Sequence, residues 1–283
     1  INEPPYVRRH RKERFAAAMI FQDSPAKRWE LMRAGGIRMC RYWLRWHSFE
    51  PEERKLTTFP HDDDIALMRK AGIEPLVLLG DTALSYSKGS PNSDWFLFKK
   101  SKQGKRTRLR SGSVRNFINM DAWKRHIRDV VSRYKGQVRY FEIMNEPNLF
   151  YEPEEYVPYL KAAYETAKEV NPDCVIVGIC ATGDFAGNLG EFFEKCGQLG
   201  AFKYCDAVSF HPYSAQLDSD ALPAQQQIAQ VKSILKKYGA EKLPLWNSEI
   251  YYIHTLKENT VLAQSRSASV YLDQGAVSPQ NVL

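Results

Sequence analysis

Short apolar runs alternate with amphipathic segments along most of this chain of 283 residues, and no other feature limits its fold as strongly. The first three runs are Phe15–Phe21, Ile37–Trp46 and Pro75–Leu79, and each has the length of a β-strand. The segments between the runs have the apolar spacing and the length of helices. Strands that alternate with helices are typical of βαβ units on a parallel sheet.

The same alternation continues to the end of the chain and indicates one α/β domain. The later strands are predicted at Val138–Met144, Cys174–Ile179, Ala207–Phe210 and Leu243–Trp246. The predicted helices cover about Pro25–Arg33, Asp62–Gly72, Asp121–Tyr134, Glu154–Val170, Leu189–Leu199, Ala224–Tyr238 and Val261–Asp273. Seven units without a glycine-rich phosphate turn favour a (β/α)8 TIM barrel over a doubly wound sheet. An eighth strand would begin near Asn281–Leu283, so we expect the eighth strand and helix to be truncated.

The predicted domain spans residues 1–283 and carries one insertion, a basic loop at about residues 81–119. The net charge is +7, and residues 95–120 contain eight Lys or Arg and no acidic residue. Aromatic residues precede these cations at Asp94–Phe98, so the loop has the chemistry to bind an acidic glycan. A solvated loop of variable sequence is the alternative. Nucleic-acid binding is not predicted, because the positive charge is confined to this loop and the N-terminal arm.

Two glutamates stand directly after predicted strands. Glu146 follows the fourth strand and Glu249 follows the seventh. The carboxyl ends of barrel strands meet at one face, so these two side chains are expected to face each other there. A pair of carboxylates is the minimal equipment for cleaving a glycosidic bond: one protonates the leaving oxygen, and the other attacks the anomeric carbon or activates water.

Four separated motifs resemble those of glycoside hydrolase clan A, a group of retaining glycosidases with TIM barrels. Within this clan, the sequences of the motifs are most similar to those of families 39 and 5. The motifs are Tyr140–Asn148 with its Asn-Glu-Pro, Trp246–Ile250, Phe210–Tyr213, and Ile37–Trp46 followed by Phe49–Pro51. They occur in the clan's order at the ends of strands four, seven, six and two. The same tripeptide at Asn2–Pro4 follows no apolar run and is not predicted to be catalytic.

The resemblance implies a role for each matching residue. Glu146 would be the general acid/base and Glu249 the nucleophile. Asn145 would hydrogen-bond a sugar hydroxyl, while His211 would bind the sugar or orient a carboxylate. Arg41 and Tyr213 would keep Glu249 ionised. For a retaining enzyme, the two carboxyl groups should lie roughly 5–5.5 Å apart.

Other residues leave alternatives open. Trp46 and Trp246 are candidates for stacking on sugar rings, although core packing is the more frequent use of a lone aromatic residue. His211 could instead be a structural histidine at the end of a strand, and Arg41 a structural partner in an ion pair. Glu142 shares the strand face of Glu146, and inside a barrel it needs a partner such as an arginine.

The resulting prediction is a retaining glycosidase that cleaves O-glycosidic bonds in an oligo- or polysaccharide, and we expect these bonds to be β-linked. A transglycosidase with the same carboxylates and a non-catalytic carbohydrate-binding barrel are the alternatives. No cofactor is predicted and no metal site, because the histidines show no close ligand spacing. No apolar run has the length of a membrane span. The resemblance implies a secreted or periplasmic location, and the sequence gives no oligomeric state.

Overall fold

A parallel sheet of seven strands, in the order β1-β2-β3-β4-β5-β6-β7, is the centre of the computed structural model. The structure describes residues 15–18, 25–50, 54–58, 60–80, 119–149, 151–183, 189–212 and 222–249. Every neighbouring pair of strands is parallel. Consecutive strands are therefore neighbours throughout, as successive βαβ units require.

The elements follow the predicted alternation. The strands are β1 (Phe15–Ala18), β2 (Ile37–Trp43), β3 (Glu74–Leu79), β4 (Tyr140–Ile143), β5 (Val175–Thr182), β6 (Ala207–His211) and β7 (Leu245–Asn247). The helices are α1 (Pro25–Ala34), α2 (Trp46–Phe49), α3 (His61–Lys70), α4 (Met120–Arg133), α5 (Pro153–Val170), α6 (Leu189–Gln198) and α7 (Leu222–Lys237). Two short 3-10 helices cover Pro147–Leu149 and Ala201–Tyr204.

The sheet is curled into a partial barrel. In a flat sheet, β2 and β7 would be about 24 Å apart, because five intervals of about 4.8 Å separate them. Yet Arg41 on β2 donates a hydrogen bond of 2.6 Å to Glu249, two residues after β7. Only a curled sheet brings these two ends together. The predicted eighth strand and the predicted helix Val261–Asp273 lie outside the described residues, so the structure establishes seven strands of a barrel and not its closure.

Side chains alternate between the inside of the sheet and the layer under the helices. One interior cluster contains a residue from each of six strands: Met39, Leu76, Tyr140, Val177, Ala207 and Trp246. The intervening strand residues, such as Val77, Phe141 and Val208, pack with the helices in a larger outer core. Because each strand is covered on both faces, the strands are nearly continuously apolar, and the polar residues that interrupt them are informative.

Most predicted boundaries are shifted by one or two residues, and two of the differences bear on the site. The second strand ends at Trp43, and Trp46 begins the short helix α2. The fifth strand extends to Thr182, because a bulge between Ile179 and Ala181 lets the chain continue pairing with β6. A local apolar pattern contains no information on such a bulge.

The helix α4 shows why the predicted starts of the helices are close to those observed. The Asn119 side chain accepts hydrogen bonds of 3.0 Å from the backbone N–H groups of Asp121 and Ala122. It therefore satisfies two donors that a helix start otherwise leaves unpaired. No helix within the described ranges is long and apolar enough to cross a membrane.

Candidate active site

Arg41 is the central cation of the site and donates to four of its side chains, three through oxygen atoms and the fourth, Cys180, through sulfur. It is 6% exposed and points from β2 into the barrel. Its Nε donates to Glu142 at 2.5 Å, one Nη to Glu249 at 2.6 Å, and the other Nη to Asn145 at 2.7 Å. Burial alone would lower the pKa of Arg41, but the negative charges of Glu142 and Glu249 outweigh it and hold that pKa above its ordinary value. The guanidinium therefore stays charged and fixes the positions of its acceptors.

Glu142 on β4 is the buried counter-ion of Arg41. The side chain is 0% exposed, and Ser209 on β6 donates a hydrogen bond of 2.6 Å to its second oxygen. Burial raises the pKa of Glu142, but the charge of Arg41 and the hydrogen bond from Ser209 overcome this effect and hold that pKa below its ordinary value. The prediction that Glu142 needs an arginine partner is confirmed. Both oxygens of this carboxylate already accept hydrogen bonds, so we interpret Glu142 as a structural anion beneath the site.

Glu146 is presented by a sharp turn after β4. Met144 and Glu146 have φ angles of +63° and +48°, values that side-chain-bearing residues adopt rarely. The turn packs closely on the end of β3: a Cβ at Gly80 would lie 2.6 Å from the Cα of Met144. Glu146 N–H donates to the carbonyl of Cys180 at 3.0 Å. The backbone contacts on both sides hold the turn and therefore the carboxylate.

Asn148 attaches the same turn to the end of β5. Its amide nitrogen donates to the Thr182 carbonyl at 2.9 Å, and its oxygen accepts from the Thr182 N–H at 2.9 Å. Thr182 pairs with His211 of β6, and the buried Asn148 side chain takes the place of a strand partner on the other side, toward β4.

The two candidate catalytic carboxylates have different partners. Glu146 Oε1 lies 3.0 Å from His211 Nδ1, and His211 is 0% exposed. Glu249 instead accepts from Arg41, and its side chain is 20% exposed. One oxygen of Glu146 and one of Glu249 lie within 4.8 Å of each other. The structure therefore places one carboxylate against a cation and the other against an imidazole, across a gap of a few ångströms.

The predicted binding residues divide into two groups. Asn145, Arg41 and His211 lie with the carboxylate pair. Trp246 is 3% exposed in the interior cluster, with its ring 5.6 Å from that of Tyr140, so it lies in the packed interior of the barrel. Trp46 is 0% exposed and is stacked on His126 of α4 at 4.3 Å, outside the barrel. The structure therefore does not bring Trp46 to the carboxylates. Tyr213 and the basic loop lie outside the described residues.

Two groups of ligand-type side chains lie close together within the described part of the chain. They are Glu142 with Cys180 and His211, and Glu146 with His211 and Glu249. Arg41 already pairs with Glu142 and Glu249, so a divalent cation would have to compete with a fixed positive charge. We assign no metal to either group.

Three residues of the site were not predicted from the sequence: Ser209, Cys180 and Asn148. Ser209 has the same β6 face as His211, and this spacing of two residues was the signal that could have identified it. Cys180 lies in an apolar run of the sequence, which gives no signal of a place in the site. Its inward direction depends on the bulge in β5.

Comparisons with known proteins agree with the fold. No family model matches the chain, and a sequence search of the curated proteins finds no match. Solved structures do match. A family 39 glycoside hydrolase from Bacteroides cellulosilyticus WH2 has a TM-score of 0.69 at 20% identity, over 95% of this chain and 55% of its own. A family 39 β-xylosidase from Caulobacter crescentus has a TM-score of 0.66 at 17% identity, over 95% and 61%. A family 10 xylanase from Thermobacillus composti has a TM-score of 0.57 at 19% identity, over 94% and 79%.

These matches establish a shared fold. Families 39 and 10 both belong to glycoside hydrolase clan A, so the predicted resemblance to this clan is confirmed at the level of the fold. The identities are too low to transfer an activity. The chain spans 55% of the Bacteroides protein and 61% of the Caulobacter β-xylosidase.

Proposed function

We propose that this protein is a retaining glycoside hydrolase that cleaves β-linked O-glycosidic bonds of an oligo- or polysaccharide by double displacement. The observation that carries the proposal is the pairing of Glu146 and Glu249, which have different partners and oxygens within 4.8 Å of each other. Retaining enzymes separate the two carboxyl groups by about 5–5.5 Å, whereas inverting enzymes need about 6.5–9.5 Å to admit a water molecule. Nearest oxygens within 4.8 Å of each other are compatible with the shorter of these two separations, and this supports retention.

Glu249 is the proposed nucleophile. The Arg41 guanidinium donates to one of its oxygens at 2.6 Å and holds the side chain in place, and a carboxylate is the form that attacks. In the first step, a Glu249 oxygen bonds to the anomeric carbon while the bond from that carbon to the leaving oxygen breaks. In the second step, water bonds to the anomeric carbon, the ester to Glu249 breaks, and the carboxylate is restored.

Glu146 is the proposed acid and base. It gives its proton to the leaving oxygen in the first step and takes a proton from the attacking water in the second, so it ends as it began. Its side chain is 11% exposed, and this burial limits the access of bulk water to the proton. His211 contacts Oε1, and we assign the proton transfer to the second carboxylate oxygen, Oε2.

Asn145 is the proposed contact for a sugar hydroxyl. Its Oδ1 accepts from Arg41, and this bond fixes which way the amide points. The NH2 group is consequently the end of the amide that is available to a hydroxyl beside the anomeric carbon. A hydrogen bond to that hydroxyl strengthens in the transition state.

The first test is a panel of aryl β-glycosides. It begins with xylosides, because β-xylosidases and xylanases are among the proteins of similar fold, and it includes glucuronides because of the predicted basic loop. Wild-type turnover of one glycone, lost in Glu249→Gln, is the expected result. Glu146→Ala should retain activity only on glycosides whose leaving group needs no proton. Equal loss for every leaving group would contradict the assignment of Glu146 as the acid. Adding a sugar acceptor to the same assay distinguishes hydrolysis from transglycosylation.

A further inference from the structure

A bulge in β5 turns the thiol of Cys180 into the barrel. Ile179 pairs with Ser209 and Ala181 with Phe210, so Cys180 is the extra residue between two consecutive partners. Ile179 and Cys180 have φ angles of +74° and +45°. Bulges commonly redirect a side chain beside an active site, and such backbone persists where the surroundings enforce it.

The redirected thiol contacts the partners of both candidate catalytic carboxylates. Arg41, which pairs with Glu249, donates from one Nη to Cys180 Sγ at 3.4 Å. His211, which contacts Glu146, has its Nε2 3.5 Å from the same sulfur. Cys180 is 0% exposed. A continuous chain of polar contacts therefore runs from Glu249 through Arg41, Cys180 and His211 to Glu146.

The direction of the hydrogen bonds in this chain follows from the chemistry of each group. Burial raises the pKa of the Cys180 thiol well above its ordinary value, so the sulfur keeps its proton. Arg41 has only donors, so the thiol proton cannot be directed to it. His211 Nε2 is an acceptor within hydrogen-bond distance of the thiol, whereas the oxygens of nearby Glu142 already accept from Arg41 and Ser209. A bare Nε2 places the imidazole proton on Nδ1, from which it is donated to Glu146 Oε1 at 3.0 Å.

We infer that Cys180 is a positioning residue that holds His211 in the Nδ1–H tautomer, so that the imidazole donates to Oε1 of Glu146. The consequence for catalysis rests on the proposed function. With Oε1 occupied as an acceptor, the proton of Glu146 resides on its other oxygen, where it can be given to a leaving group. In the opposite tautomer, the bare Nδ1 would attract that proton to Oε1 and away from the substrate.

The tautomer is tested first, because this measurement needs no substrate. Nitrogen-15 NMR of the labelled imidazoles distinguishes a protonated ring nitrogen from a bare one, and the His211 signals among the six histidines are those lost in His211→Gln. The wild-type protein should show Nδ1 protonated and Nε2 bare. Cys180→Ser should keep this pattern, since a hydroxyl donates and accepts likewise, and Cys180→Ala should change it. A protonated Nε2 in the wild-type protein would overturn the inference, and so would an unchanged pattern in Cys180→Ala.

The catalytic consequence is measured with phenyl and dinitrophenyl glycosides of the sugar found in the panel. Cys180→Ala should lose at least about tenfold more kcat/KM on the phenyl glycoside than on the dinitrophenyl one, because only the former needs acid assistance. Cys180→Ser should restore the ratio. Cys196→Ala, which removes another fully buried thiol on α6, is the matched control and should leave the ratio unchanged. Equal loss on both glycosides in Cys180→Ala would contradict the inference. A wild-type protein inactive on every glycoside would instead count against the proposed function, while the NMR result would still decide the tautomer.

Discussion

Replacing Arg41 with Met should destabilise the fold through the anion that it leaves behind. Glu142 is 0% exposed and has Arg41 as its ion-pair partner at 2.5 Å. Methionine keeps much of the length of the side chain but provides no charge and no donor. The variant therefore confines an ionised carboxylate in the barrel with the Ser209 hydroxyl among its remaining donors.

The size of the effect follows from the depth of the pair. Two unit charges about 4 Å apart attract by about 4 kcal/mol at an effective dielectric constant of about 20. Removing one partner of a buried pair costs about 3–5 kcal/mol, which agrees with this figure. Arg128 and Glu169 form the matched exposed pair at 2.9 Å, with side chains 45% and 68% exposed. Arg128→Met should cost less than about 1 kcal/mol, because solvent screens that pair.

The loss should also depend on pH in a defined direction. In the wild-type protein the pKa of Glu142 is lowered, so its ionised form contributes stability that is complete above the unfolded pKa of 4.5 and is lost as the pH falls through the folded value. In Arg41→Met, burial no longer has an opposing cation, and the pKa of Glu142 rises above its unfolded value. Protonation then relieves the penalty, so the difference between the two proteins should be largest near neutral pH and shrink toward about pH 4.

Urea unfolding at several pH values measures these quantities for Arg41→Met, Arg128→Met and the double variant Arg41→Met with Glu142→Gln. The double variant should recover at least about 2 kcal/mol of the loss, because a neutral amide needs no counter-ion. The reasoning is refuted if Arg41→Met costs no more than Arg128→Met. It is equally refuted if Glu142→Gln restores nothing.

Three further changes test other parts of the structure. Asn148→Ala should lower the free energy of unfolding by about 1–3 kcal/mol and should also lower activity, because it leaves the buried backbone of Thr182 unpaired beside Glu146. The control, Asn119→Ala at the start of α4, should lower the free energy of unfolding by about 0.5–2 kcal/mol and leave activity unchanged. Trp46→Ala should cost about 3–5 kcal/mol in urea unfolding without a selective rise in KM, because the ring packs on His126 outside the barrel. His126→Phe should flatten acid destabilisation: burial lowers the pKa of His126 to about 3, so the folded protein loses stability as the pH falls from about 6.5 toward that value.

Each of these has a contradicting result. Equal activity in Asn148→Ala and Asn119→Ala would show that the contact between Asn148 and β5 does not position Glu146. A large increase in KM in Trp46→Ala, with unchanged stability, would indicate that Trp46 contacts the sugar. An unaltered slope of stability against pH in His126→Phe would show that other groups control acid unfolding.

The sequence predicted the strands and the face on which the carboxylates meet, because both depend on short-range patterns. The apolar runs are interrupted at their carboxyl ends by Glu146, His211 and Glu249, and parallel strands bring such ends to one edge of the barrel. The need of Glu142 for an arginine partner was predictable from the cost of a buried charge alone.

Other features could not be predicted because they depend on the third dimension. Trp46 follows the second strand directly, yet the strand stops at Trp43, and the next turn directs the indole toward α4 instead of the site. The inward position of Cys180 depends on one extra residue in β5, which an apolar run does not reveal. The contact of Asn148 with Thr182 joins two strand ends 34 positions apart and has no local signal.

The proposed reaction depends on Glu249 as the nucleophile of a retaining glycosidase. Its most direct test incubates the protein with the dinitrophenyl 2-deoxy-2-fluoro derivative of the glycoside found in the panel, followed by mass spectrometry of the intact protein and its peptides. The fluorine slows both steps, and the good leaving group lets the first proceed, so the glycosyl-enzyme accumulates. We expect one sugar bound as an ester at Glu249 and no such adduct in Glu249→Gln. An adduct on a different residue, or turnover of the parent glycoside with inversion and no adduct, would contradict the assignment of Glu249 as the nucleophile.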